Sequence, residues 1–144
     1  MIQKYKIPIQ ILKLDKQSYH LLIEGKINKQ PVNLIIDTGA SRSIFDINIP
    51  DIIFPEEMDE NADTIHSASI SAGSIDNKSG ILKSFKLGKL QFRNFPVVLI
   101  DLEEMNKLYV GVTGKKIHGL LGSDFLLKMD AVINYGKSTL ILKK

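Results

Sequence analysis

The chain has 144 residues, 44% of them hydrophobic and 24% charged. These are ordinary globular proportions, and the expectation is a single domain over residues 1–144 with a core of its own. A formal charge of +3, with no basic run interleaved with aromatics, argues against a nucleic-acid partner. Cysteine is absent, which excludes disulfides, thiolate zinc sites and a cysteine nucleophile. The start, Met1 to Lys6, lacks the apolar centre of a signal peptide, and no run is long enough to cross a bilayer. The expectation is a cytoplasmic protein with no membrane partner.

Residues 2–13 alternate, with Ile7, Ile9 and Ile11 on one side and Lys6 and Gln10 on the other, and so predict a half-buried strand. Pro8 within it favours an edge position or a change of partner. A turn at 14–18 leads to a second strand, Tyr19 to Ile27, and a tight Asn28-Lys29-Gln30 connection leads to a third, Val32 to Ile36. Ser43-Ile44-Phe45 reads as a short strand. The acidic stretch 46–63, broken by Pro50 and Pro55, reads as a surface loop, since its carboxylates match no calcium-loop spacing. Ser67 to Gly73 and Gly80 to Leu87 suit a hairpin with its tip at 74–79. Its small polar residues predict weak burial.

Gly88-Lys89 is a turn, and Leu90 to Ile100 a strand that Pro96 interrupts. Leu102 to Leu108 suits a short helix, and Val110 to Gly114 a loop. In the last third, His118 to Leu121 feeds a short helix through Gly122, with Ser123 as its N-cap. Ala131 to Tyr135 and Thr139 to Leu142 close the chain as a hairpin. Many short strands with one or two short helices predict an all-β domain.

Most chemistries find no support. His20, His66 and His118 lack ligand-like spacing, so no metal site is expected. Gly111 to Lys115 has its glycines too close together for a phosphate loop. No Gly-x-Ser-x-Gly occurs, so a serine nucleophile has no basis. The exception is Leu34-Ile35-Ile36-Asp37-Thr38-Gly39-Ala40-Ser41, where a wholly apolar strand runs into a carboxylate. An acid at the end of a buried strand is costly to ionise unless donors surround it. The turn supplies backbone N–H groups, and Thr38 a hydroxyl.

Asp37-Thr38-Gly39-Ala40-Ser41 after its apolar strand, with Leu120-Leu121-Gly122 before a short helix, resembles the retroviral-type (retropepsin-like) aspartic proteases, and among them their small prokaryotic relatives. The resemblance runs through nearly the whole chain in element order. It implies a closed-barrel-like acid-protease half-domain completed by homodimerisation, because the chain holds one Asp-Thr-Gly and such enzymes need two. Asp37 would be the catalytic acid, with one copy activating water and the other protonating the scissile carbonyl. Thr38 would lock the two turns across the twofold axis, and Gly39 would let substrate approach. Ala40, in place of the serine of many two-lobed relatives, implies a less acidic optimum. Flap hairpins at about 67–87, with Ser71, Ala72 and Gly73 contacting substrate, would cover an extended peptide. No metal or organic cofactor is implied. Ser41 and Ser123 stand where retroviral enzymes usually carry an acid and an arginine, and an Arg42–Asp124 pair could replace that contact. A non-catalytic dimeric peptide-binding module on the same fold is the alternative.

Overall fold

The computed structural model describes residues 2–55 and 77–144. Ten strands and two helices lie within them: β1 (Lys4–Pro8), β2 (Gln10–Lys13), β3 (Tyr19–Ile27), β4 (Gln30–Ile36), β5 (Ile44–Asp46), β6 (Lys78–Leu87), β7 (Leu90–Ile100), α1 (Glu103–Thr113), β8 (Gly119–Leu121), α2 (Ser123–Lys128), β9 (Val132–Asn134) and β10 (Thr139–Lys143). One sheet has the order β2-β3-β4-β8-β5-β7-β6, and β6 pairs back onto β3 through Lys26–Lys86 and Ile27–Phe85. Six of its strands therefore close into a barrel, which removes most free edges. A smaller sheet, β1-β10-β9, joins the two ends of the chain.

The alternating stretch at the start is not one strand. Pro8 ends β1, which pairs with β10, while β2 pairs with β3. A proline lacks the N–H that would continue a ladder, so the chain changes partners there. The β3–β4 turn is tight because Asn28 and Lys29 both take positive φ, at 49° and 71°, as a two-residue hairpin turn of this hand demands. Pro96 does not break β7, which runs unbroken with Pro96 opposite Ile81. The carboxyl-terminal hairpin forms as expected.

The apolar run of β4 is explained by burial on two sides. Leu34 and Ile36 face the barrel interior with Ile23, Phe45, Phe85, Leu99, Leu121 and Phe125. Ile35 points the other way, into a second cluster with Leu12, Leu22, Tyr109 and Ile117. The lid over that second cluster is α1, which is longer than the sequence suggests. Val110 to Thr113 continue the helix, and Gly114, at φ 73°, ends it with its N–H on the Val110 carbonyl. Propensity disfavours β-branched residues and glycine in a helix, but the buried Tyr109 and Asn106 hold this one in place.

Candidate active site

Asp37 follows β4 where the ladder to β8 has one more rung: its N–H donates to the Leu121 carbonyl at 2.9 Å. The turn then closes on itself. The Gly39 N–H donates to Asp37 Oδ1 at 3.0 Å, and the Ala40 N–H to the Asp37 carbonyl at 3.2 Å. Of these, the Gly39 N–H is the donor to the carboxylate itself, and the other two bonds fix the main chain that carries it. Asp37 is half-buried, whereas Thr38, Gly39 and Ser41 are exposed. Leu120, Leu121 and Gly122 come alongside because β4 and β8 run parallel, with Ile35 opposite Leu120 and Ile36 opposite Leu121.

Gly122 is the contact point of the two motifs. A Cβ there would stand 2.7 Å from the Ala40 carbonyl oxygen and 2.9 Å from the Arg42 carbonyl carbon and oxygen. Only glycine lets these backbones lie so close. Two bonds then tie them: the Ser123 N–H donates to the Ala40 carbonyl at 2.7 Å, and the Gly122 N–H to Ser43 Oγ at 2.9 Å. Gly122, in extended conformation, is itself the N-cap of α2, so Ser123 is the first helical residue rather than the cap.

Asp124 completes the cradle. It accepts the Ser43 hydroxyl at 2.7 Å, the Ser43 N–H at 2.9 Å and its neighbour Phe125 N–H at 2.8 Å. Burial pushes its carboxyl up, but these donors and the charge of Arg42 outweigh burial and leave it below the usual carboxylate range. Sequence reasoning singled out the partner Arg42 and overlooked Ser43, which bridges Asp124 and Gly122. Its place after Ala40-Ser41-Arg42, just ahead of a buried strand, is the signal that could have found it.

Three polar residues fix the other end of β4 and β8 and the helix beside it. His118 Nδ1 accepts the Asn33 N–H at 3.0 Å while the His118 N–H donates to the Asn33 carbonyl at 2.8 Å, pinning the start of β8 to β4. Burial, helped by the charge of Lys116, holds the imidazole below its ordinary pKa against the pull of Asp46. Asp46 is buried and accepts the Leu102 N–H at 3.3 Å and the Asn48 side-chain amide at 3.0 Å, tying β5 to the start of α1. Asn106, also buried, clamps Ile117 from both sides: Nδ2 donates to its carbonyl at 2.9 Å and Oδ1 accepts its N–H at 2.6 Å. Tyr109 lies beside the site. Burial pushes its phenol up, and the negative charge of Asp37 adds to the shift.

Ser71, Ala72 and Gly73 lie outside the described residues, as do Ser67 to Asp76 of the expected flap. The expected second strand, Gly80 to Leu87, lies within β6, which pairs with β7 and β3. Among the described residues no group of three histidine, aspartate or glutamate side chains is placed to hold a metal, and no helix is long and apolar enough to cross a membrane.

A family model described as aspartyl protease matches residues 23–125, a span that takes in both motifs and the strands between them. The chain belongs to this aspartyl protease family, and its described residues form an all-β fold with a closed barrel and two helices. Among solved structures it is similar to a retropepsin-like aspartic protease from Rickettsia conorii, with 18% identity over 99% of this chain and 91% of the other and a TM-score of 0.47. It is similar also to the retroviral protease-like domain of Ddi1 from Leishmania major, with 14% identity over 85% and 87% of the two chains and a TM-score of 0.49. No curated protein sequence matches significantly.

Proposed function

We propose that the chain is a homodimeric aspartic endopeptidase whose catalytic pair is Asp37 from each of two copies. The observation that carries this reading is a carboxylate fixed by its own turn, by β8 and through Gly122, yet opening onto a face where Thr38 and Gly39 are exposed. A rigid acid on an open face suits a site that a second copy completes across a twofold axis. The same face carries Leu127, 80% exposed, on the rim of a hollow that it shares with Thr38 and Leu126. Covering so exposed a leucine would favour association.

Two carboxylates brought into contact repel each other as anions, so the proposed pair shares one proton. In the proposed reaction the ionised Asp37 takes a proton from the bound water, whose oxygen attacks the peptide carbonyl carbon. The protonated Asp37 gives its proton to the carbonyl oxygen. The resulting tetrahedral diol collapses as the newly protonated Asp37 gives its proton to the nitrogen, the C–N bond breaks, and a diol hydroxyl gives its proton to the other Asp37, which leaves the pair sharing one proton again. Thr38 links the two turns, Gly39 and Ala40 let the substrate backbone approach, Ser41 extends that edge, and Leu120-Leu121-Gly122 hold the turn from behind. The hairpin that includes β6 covers an extended peptide bound in strand fashion. No cofactor takes part, and the domain acts as one unit.

The test pairs light scattering with an unbiased peptide-library digest. A dimer whose cleavage is abolished by Asp37→Asn is the expected result. A stable monomer overturns the shared pair, and a folded dimer that binds peptides without cutting any at any pH returns the reading to a binding module.

A further inference from the structure

Side chains alternate across a strand, so residues two apart on β4 share a face. Asp37 lies two beyond Ile35 and therefore continues the outer face that Ile35 presents to the second apolar cluster, away from the barrel interior. On β3, Leu22 is opposite Ile35 and belongs to the same cluster, and His20 lies two residues on, at the Asp37 end. Leu120 of β8, opposite Ile35, packs against this cluster too. An apolar floor thus leads up to the carboxylate. Left open, it would be a pocket for a bulky side chain next to the scissile bond.

It is not open. Tyr109, only 6% exposed, projects from α1 onto this floor, and its hydroxyl is hydrogen-bonded to Nδ1 of His20, with the ring centroids 5.7 Å apart. Asn106, one turn earlier, anchors α1 to Ile117 through two buried hydrogen bonds. His20 precedes Leu21, the register partner of Ile36, so its bond to the hydroxyl sets the ring at the Asp37 end of this floor.

We propose that Tyr109, oriented by its hydrogen bond to His20, is a specificity-determining wall that keeps the subsite beside Asp37 shallow, so that the peptide residues flanking the scissile bond must be small. The inference rests on the endopeptidase reading. In a homodimer the wall occurs twice, once on each side of the bond, and the restriction applies to both flanking residues.

The test compares peptides that carry Ala, Leu or Phe next to the cleavage site. Wild type is expected to favour Ala. Tyr109→Ala, and the gentler Tyr109→Leu should the first fail to fold, should raise kcat/KM for Leu or Phe relative to Ala by about tenfold or more, the discrimination typical of a resized apolar pocket. Tyr109→Phe keeps the ring volume but loses the bond to His20, so it should keep a preference for Ala that is weaker than that of wild type. Binding of the same peptides to Asp37→Asn forms, with and without the Tyr109 changes, gives a readout that needs no turnover. Cleavage with the same size preference in every folded variant overturns the wall and leaves the protease reading standing. A binding preference that moves with residue 109 in a protein that never cleaves supports the wall and overturns the protease reading. Peptides that are neither bound nor cut overturn both.

Discussion

Gly122→Ala is the sharpest test of how the two motifs depend on each other. The added methyl carbon would lie 2.7 Å from the Ala40 carbonyl oxygen, where ordinary contact begins near 3.4 Å, so the catalytic turn must retreat by about 0.7 Å. The obstacle is main chain on both sides of Ser41, which cannot swing away as a flexible side chain would. Overpacking of this kind costs about 1–3 kcal/mol. The same retreat stretches the 2.7 Å bond from the Ser123 N–H to Ala40 beyond useful range and loosens the one from the Gly122 N–H to Ser43, at about 0.5–1.5 kcal/mol each. Together the loss is about 2–6 kcal/mol. Urea unfolding reads it as a midpoint lower by roughly 1–3 M, taking a slope of about 2 kcal/mol per M. Peptide cleavage should fall about a hundredfold or more in whatever fraction stays folded, because Asp37 moves with its turn. Gly111→Ala is the matched control: it lies within α1 with nothing inside 4 Å of the new Cβ, and it should stabilise by about 0.5–1 kcal/mol. A Gly122→Ala protein within about 0.5 kcal/mol of wild type would refute the close-packing account of the second motif.

Other perturbations test the surrounding contacts. The folded protein holds His118 below its ordinary value of 6.5, so it binds fewer protons than the unfolded chain as pH falls through that value. Its contribution is full above pH 6.5 and is lost on acidification, and His118→Gln should flatten the decline in urea midpoint between pH 7.5 and 5. An unchanged slope excludes His118 as its source. Ser43→Ala removes the donor to Asp124 and the acceptor for Gly122 and should cost about 1–2 kcal/mol. Because the depressed Asp124 carboxyl stabilises the fold above its ordinary range and loses this as pH falls, the variant should show a shallower acid-side decline. Asn106→Ala leaves the buried Ile117 amide and carbonyl without their partner and should cost about 2 kcal/mol or more in the same unfolding assay.

The strands that carry Asp37 were legible because their burial is written in short-range pattern. The run Leu34-Ile35-Ile36, the Asn28-Lys29 turn and the closing hairpin need no knowledge of distant residues. The breaks in legibility are tertiary. Nothing local in Ile7-Pro8-Ile9 says that the two sides of the proline join different sheets. Val110 to Gly114 looks like a loop because its stability as helix comes from Tyr109 and Asn106 packing onto strands far away in sequence. Ser123 has the composition of a cap, but the close approach at Gly122 takes the capping position one residue earlier. Tyr109 could not be placed beside Asp37 before the helix bearing it was known.

The two sides of β4 divide the labour of the site. The inward side, Leu34 and Ile36, is packed with the barrel and with Phe125 of α2, so the height and direction of the strand are set by the core. The outward side, Ile35 and then Asp37, meets the cluster capped by α1, so what lies beside the carboxylate is set by a separate layer. Substitutions in the first layer move the acid itself and should lower turnover on every peptide alike. Substitutions in the second reshape the space beside it and should redistribute turnover among peptides. That separation follows from strand pleat and from the two clusters that cover β4, and it accounts for a wholly apolar run that ends in a carboxylate. Both of its faces are buried, one in the barrel and the other under α1.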